Sequence, residues 1–144
     1  MKHLLFIIPF LSFANQDFFC SCVYQKLDKH IKDTNAILIG DVISSKEVTG
    51  RMYIRYEYIV KVKHYYKARQ VEKVVKVVSG AGGGDCGYPF RVGKRYIIFG
   101  STSSLTKGST LPANTFYTSI CDATSPFDAE MQQKLDKRLV RKHP

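Results

Sequence analysis

Four cysteines and their spacing constrain this chain more than any other feature. Two form the tripeptide Cys20-Ser21-Cys22; the others, Cys86 and Cys121, stand alone far downstream. Cysteines one residue apart are too close in sequence to bridge each other comfortably. Two frameworks remain, Cys20–Cys86 with Cys22–Cys121 or Cys20–Cys121 with Cys22–Cys86. Either one staples a single tripeptide to two distant points. Each bond closes a loop of roughly 65–100 residues, worth about 4–5 kcal/mol in the chain-entropy account. A four-cysteine zinc site is the rival use of these residues. Structural zinc sites usually draw their ligands from Cys-x-x-Cys pairs, and Cys86 and Cys121 are isolated, so disulfides are expected and no cofactor.

Disulfides require an oxidising compartment, and the N-terminus agrees. Lys2 and His3 precede an apolar run from Leu4 to Phe13, and Ser12-Phe13-Ala14 supplies small residues for signal peptidase. Residues 1–14 read as a signal peptide, and 15–144 as a single domain. The protein is expected to be secreted, extracellular or periplasmic. The run is too short for a membrane span, which needs about 20 residues, and no later run is long enough. The formal net charge is +10. Such a balance favours anionic partners, acidic polysaccharide, an anionic membrane surface or nucleic acid, and export makes nucleic acid the least expected of them.

Val23, Leu27 and Ile31 share one face of a short helix that ends at Asp33-Thr34-Asn35. Ala36 to Ile43 is a buried strand, with Gly40 marking a bulge or tight bend. Ser44 to Gly50 reads as a polar turn. Met52 to His64 alternates with period two, a strand with one wet face. Tyr65 to Gln70 is a basic, aromatic connection, and Val71 to Ser79 a third strand.

Gly80-Ala81-Gly82-Gly83-Gly84-Asp85 follows it, yet no helix and no Gly-Lys-Ser/Thr ending come next. Close backbone approach explains these glycines better than a phosphate does. Tyr96 to Gly100 and Thr115 to Cys121 are two more strands, separated by a Ser/Thr/Gly-rich loop. Ser125-Pro126 opens a C-terminal helix over about 126–140, with Ser125 as its N-cap. Phe127, Met131, Leu135 and Leu139 form its apolar stripe. The expected fold is mainly β: a five-stranded closed barrel of the oligonucleotide/oligosaccharide-binding type, with a short helix at each end.

Cys20-Ser21-Cys22 taken with Cys86-Gly87-Tyr88 resembles the tissue inhibitors of metalloproteinases and, more broadly, netrin-like domains. The shared pattern is a Cys-x-Cys start, a short helix, a strand, a tyrosine-rich strand, a Cys-Gly-Tyr and a last strand bearing the second partner. It runs here from Cys20 to Cys121. The resemblance implies the pairing Cys20–Cys86 and Cys22–Cys121, and it implies the barrel. This chain departs from the family in two respects. Tyr24 stands where the start often carries proline, and a helix stands where vertebrate members have a second disulfide-rich domain.

The resemblance further implies an inhibitory ridge of Cys20, Ser21, Cys22, Val23 and Tyr24, flanked by Gly83, Gly84 and Asp85. In that family the first cysteine is the mature N-terminus, and its α-amine and carbonyl chelate the zinc of a target metalloprotease. Cys20 would be a metal ligand on those terms only if it is the mature N-terminus. Cleavage after Ala14 leaves Asn15 to Phe19 ahead of it. The plainer reading of the tripeptide is a disulfide anchor. A second functional class is a monomeric, non-inhibitory binding module for an acidic polysaccharide or a protein partner. Lys61, Lys63, His64, Lys67, Arg69, Lys73 and Lys76 crowd one strand-loop-strand region. With Tyr65 and Tyr66 they could hold an acidic polysaccharide, or they form a solvated face. Enzyme activity is not expected. No His-Glu-x-x-His or nucleophile elbow occurs, and His30, His64 and His143 are scattered.

Overall fold

The computed structural model describes residues 20–50, 54–102, 111–112 and 114–144. The expected signal peptide, the leader to Phe19, Met52 and most of the Ser/Thr-rich loop lie outside them. The described elements are α1 (Leu27–Asp33), β1 (Ala36–Thr49), β2 (Ile54–Lys67), β3 (Val74–Gly80), a 3-10 turn at Gly83–Asp85, β4 (Arg95–Gly100), β5 (Thr115–Tyr117), β6 (Ser125–Pro126) and α2 (Ala129–Asp136). The protein is mainly β. Its strands form one mixed sheet in the order β5-β3-β2-β1-β4-β6. The β3–β5 pair is parallel and the other pairs are antiparallel. Just past β4, Ser101 and Tyr117 exchange both backbone hydrogen bonds at 2.8 Å, so one bridge links the β4 side of the sheet to β5.

Several boundaries differ from the sequence expectation. There are six strands among the described residues instead of five. The stretch expected as a turn from Ser44 continues β1 to Thr49, opposite Ile54. Its side chains are polar because that hairpin arm is exposed, and the Tyr56 hydroxyl donates to Glu47 across it at 3.0 Å. Ser125 and Pro126 do not begin the last helix. They pair with Ile97 and Tyr96 as β6. The N-cap of α2 is Asp128, whose carboxylate accepts from the Glu130 and Met131 amides at 3.3 and 3.0 Å. The helix therefore spans Ala129–Asp136 and not 126–140. β5 stops at Tyr117, because Ser119 donates its N–H and hydroxyl to Asp122 and turns the chain.

The sheet carries a core on each face. Leu38, Val42, Tyr58, Val60, Val62, Tyr65, Val75, Val77 and Ile98 fill one. Ile37, Ile39, Tyr66, Ile97 and Phe99 form the other, covered by Leu27 and Ile31 of α1 and by Leu135 and Met131 of α2. A register shift between Ile39 and Gly40 lets β2 serve both cores. It sends Val62 and Tyr65 to the first and Tyr66 to the second, although simple alternation would separate Val62 from Tyr65. A Cβ at Gly40 would sit 2.5 Å from Val60 Cγ1 and 3.0 Å from the Lys61 carbonyl oxygen, so only glycine fits without displacement. Among the described residues no helix is long and apolar enough to cross a membrane.

Candidate functional site

Cys20 is bonded to Cys86 and Cys22 to Cys121, with Cα–Cα separations of 5.2 and 5.1 Å. This is the pairing that the resemblance implies. The two anchor points are themselves joined. Gly87 and Ser119 form an isolated antiparallel bridge, and the Ile120 amide donates to the Cys86 carbonyl at 2.9 Å. Ser79, fully buried at the end of β3, donates its hydroxyl to the Thr118 carbonyl and accepts from the Tyr88 amide, both at 2.7 Å. The segments 86–88 and 118–121 thus make one platform, and the tripeptide is fastened to it at both cysteines.

The glycine-rich loop packs around its own acid. Asp85 accepts from the Ala81, Gly82 and Gly87 amides at 2.7, 2.8 and 3.0 Å. A carboxylate so occupied is a turn residue. Gly84 and Asp85 are exposed, and the turn at Gly83–Asp85 leads directly into Cys86. A Cβ at Gly80 would lie 2.4 Å from Asp85 Oδ2, a close approach of the kind expected of these glycines, and one at Gly87, just beyond the run, would lie 2.1 Å from the Gly80 carbonyl oxygen.

Ser21 and Cys22 are exposed, and Val23 and Tyr24 are 81% and 91% exposed. Beside them a shallow groove of about 500 Å³ is lined by Cys22, Leu27, Ile120 and Met131. Ile120, 44% exposed, is the residue sequence reasoning missed. Its position next to Cys121 was the available signal, because the Cys22 bond brings it to the tripeptide.

The seven basic-strand residues do not form one free patch. Lys63 pairs with Asp41 at 3.3 Å and Lys76 with Glu57 at 2.9 Å. Arg95 holds Asp41 from the other side, and these cations keep its carboxyl below the usual carboxylate range, Arg95 contributing most. Lys67 donates to the Ile31 and Lys32 carbonyls at 2.8 and 3.0 Å and so caps the C-terminal end of α1. Lys61, Arg69 and Lys73 are exposed and have no acidic partner among the described residues. Tyr65 and Tyr66 are buried, so neither ring can stack on a ligand.

His64 is not a surface cation. Its ring packs edge-on against Tyr66 at 5.3 Å and faces His143 at 6.3 Å, and its Nε2 is buried without a hydrogen-bond partner among the described residues. Burial depresses its pKa most, Arg141, His143 and Arg95 act the same way, and Asp136 opposes them. A base with a lowered folded pKa takes up its proton more readily when unfolded. Its stabilising effect is present above the unfolded value of about 6.5 and is lost as pH falls through the folded one. The thermal midpoint of the protein should fall as pH drops below about 6.5. In His64→Phe that early loss should disappear, leaving only the carboxylate titrations at lower pH. An unchanged acid profile would show that His64 carries none of it.

A scan against known protein families finds no match for this chain, and a search of curated proteins finds none.

Proposed function

We propose that this is a secreted, monomeric protein of the tissue-inhibitor and netrin-like type, and that its Cys20-Ser21-Cys22 ridge blocks a zinc endopeptidase. The observation that carries the reading is the ridge's construction. A tripeptide with Ser21 and Cys22 exposed is pinned at both cysteines to a hydrogen-bonded platform, with Val23 and Tyr24 projecting beside it. A pinned segment loses little freedom on binding, and exposed apolar side chains give it something to bury. The two disulfides support an oxidising location. On this reading the sheet curls into a five-stranded barrel closed through the Ser101–Tyr117 bridge, and β6 is an addition at its edge.

The test is a titration of the chain beginning at Cys20 against a set of zinc endopeptidases. Inhibition should saturate at one molecule per enzyme. Tyr24→Ala should weaken it roughly tenfold, as loss of an aromatic interface anchor does. No inhibition of any member of the set would sink the proposal.

A second reading rests on Lys61, Arg69 and Lys73, exposed cations with no acidic partner among the described residues. They suit a non-inhibitory module that holds an acidic polysaccharide. The protein should elute from heparin later than a control of equal net charge. Replacing those three with Gln should remove the excess. A triple variant that elutes with the parent would reduce the region to a solvated face.

A further inference from the structure

We propose that the four cysteines, once reduced, form a tetrathiolate site for zinc(II), so that the same residues hold the ridge by metal or by disulfide but never by both. The sulfurs of Cys20, Cys86 and Cys121 all lie within 4.8 Å of one another. Cys20 Sγ and Cys121 Sγ, which are not bonded to each other, are 3.8 Å apart. Four sulfurs placed tetrahedrally at a Zn–S distance of about 2.3 Å are themselves about 3.8 Å apart. One edge of that tetrahedron therefore already exists between the two disulfides. The fourth sulfur, on Cys22, is bonded to Cys121. Reduction frees each bonded pair to open by side-chain rotation to the same edge length.

The rest of the cluster suits the change. Cys86 and Cys121 are positioned by the Gly87–Ser119 bridge and the Ile120 hydrogen bond, none of which needs a disulfide. Cys20 and Cys22 lie on a segment with no regular structure and no backbone hydrogen bond among the described residues before Lys26. That segment can follow a metal ion. Cys20, Cys86 and Cys121 are half-buried, which limits competition from water. Zinc with four thiolates is a dianion, and a chain of net charge +10 accommodates it. The isolation of Cys86 and Cys121 in sequence, which argues against a zinc site, is removed by the fold.

The chemistry balances. Each disulfide takes two electrons from the reductant and two protons, which come from the reductant itself when it is a thiol and from the water that converts a phosphine to its oxide, and gives two thiols. The four thiols release four protons as their thiolates bind zinc(II). Two equivalents of a small-molecule disulfide then take back four electrons, reform both bonds and expel the ion.

The test uses the full chain, reduced with a phosphine under argon and titrated with cobalt(II) as a spectroscopic probe. Thiolate-to-cobalt charge transfer and strong tetrahedral bands should saturate at one ion per chain, and one equivalent of zinc should bleach them. Oxidised glutathione should release that zinc to a chromogenic chelator, and the oxidised protein should bind none. Cys22→Ser and Cys86→Ser should each lose the four-sulfur spectrum. Reduction can also loosen the fold, so amide exchange of β2 and β3 is followed in the same samples. Native protection should be kept in the zinc-loaded reduced chain. Saturation below one ion per chain, weak octahedral bands, a spectrum unchanged in Cys86→Ser, or binding only by an unprotected chain would each overturn the proposal.

Discussion

A zinc endopeptidase should be inhibited by the chain that begins at Cys20 and left active by the chain that begins at Asn15. The two forms share both disulfides, the platform and every ridge side chain. They differ at one nitrogen. In the longer form the Cys20 nitrogen belongs to a peptide bond, whose lone pair is delocalised into the carbonyl and cannot ligate a metal. In the shorter form it is an α-amine with a pKa of about 7.7–8.0, so freeing its lone pair near neutral pH costs little. Catalytic zinc keeps an open position for such a ligand. Carbamylating the new N-terminus should abolish inhibition while leaving the side-chain contacts in place. Both forms and the carbamylated one are titrated side by side at fixed enzyme concentration. Equal inhibition by the Asn15 and Cys20 forms would sink the amine mechanism.

Gly87→Ala should be the most damaging small substitution near the ridge. The added Cβ would meet the Gly80 carbonyl oxygen at 2.1 Å, its carbon at 2.2 Å and the Gly82 nitrogen at 2.6 Å. These are backbone atoms, so no rotamer change relieves the contact. The strand end or the platform must move. A loss of about 3 kcal/mol is expected, at the upper end of the overpacking range. It is read from the denaturant midpoint with both disulfides intact. Because Gly87 adjoins Cys86, the same variant should also displace the ridge and weaken inhibition by the Cys20 form. A loss below about 1 kcal/mol would mean that the platform yields where the geometry says it cannot.

Much of this was legible in the chain because period-two patterning survives wherever one face is wet. The β2 alternation and the apolar run of β1 located the two longest strands, and Gly40 marked the register shift between them. The errors share a physical origin. Exposed strand and exposed turn have the same composition, so Ser44 to Thr49 read as a turn although it pairs with β2. Ser125-Pro126 has the chemistry of a helix start, and tertiary pairing with β4 overrode it. Charge clustering suggested a patch of seven cations. Only in the folded chain do Asp41, Glu57 and two carbonyls of α1 come to occupy Lys63, Lys76 and Lys67. The His64 environment was invisible for a related reason. Burial of a histidine depends on which side of a bulge it falls, and the pattern of neighbours does not disclose that.

The parallel pairing of β3 with β5 sets the pace at which this chain can fold. Lys76 meets Thr115, and Val78 meets Tyr117, so one edge of the sheet waits for residues almost forty positions later. The second disulfide spans 99 residues, and α2 supplies Leu135 to the second core only near the chain's end. Contacts of this range give a high contact order and a slow search, because loop-closure entropy is lost before the pairing is gained. The β1–β2 hairpin is local and can form while the chain is still being made. Its outer edges then stay uncovered until β4 and β3 dock and β5 follows. A nascent chain halted before Cys121 holds an open sheet and an unpaired Cys22, the state in which strand-to-strand aggregation and intermolecular disulfides compete with folding.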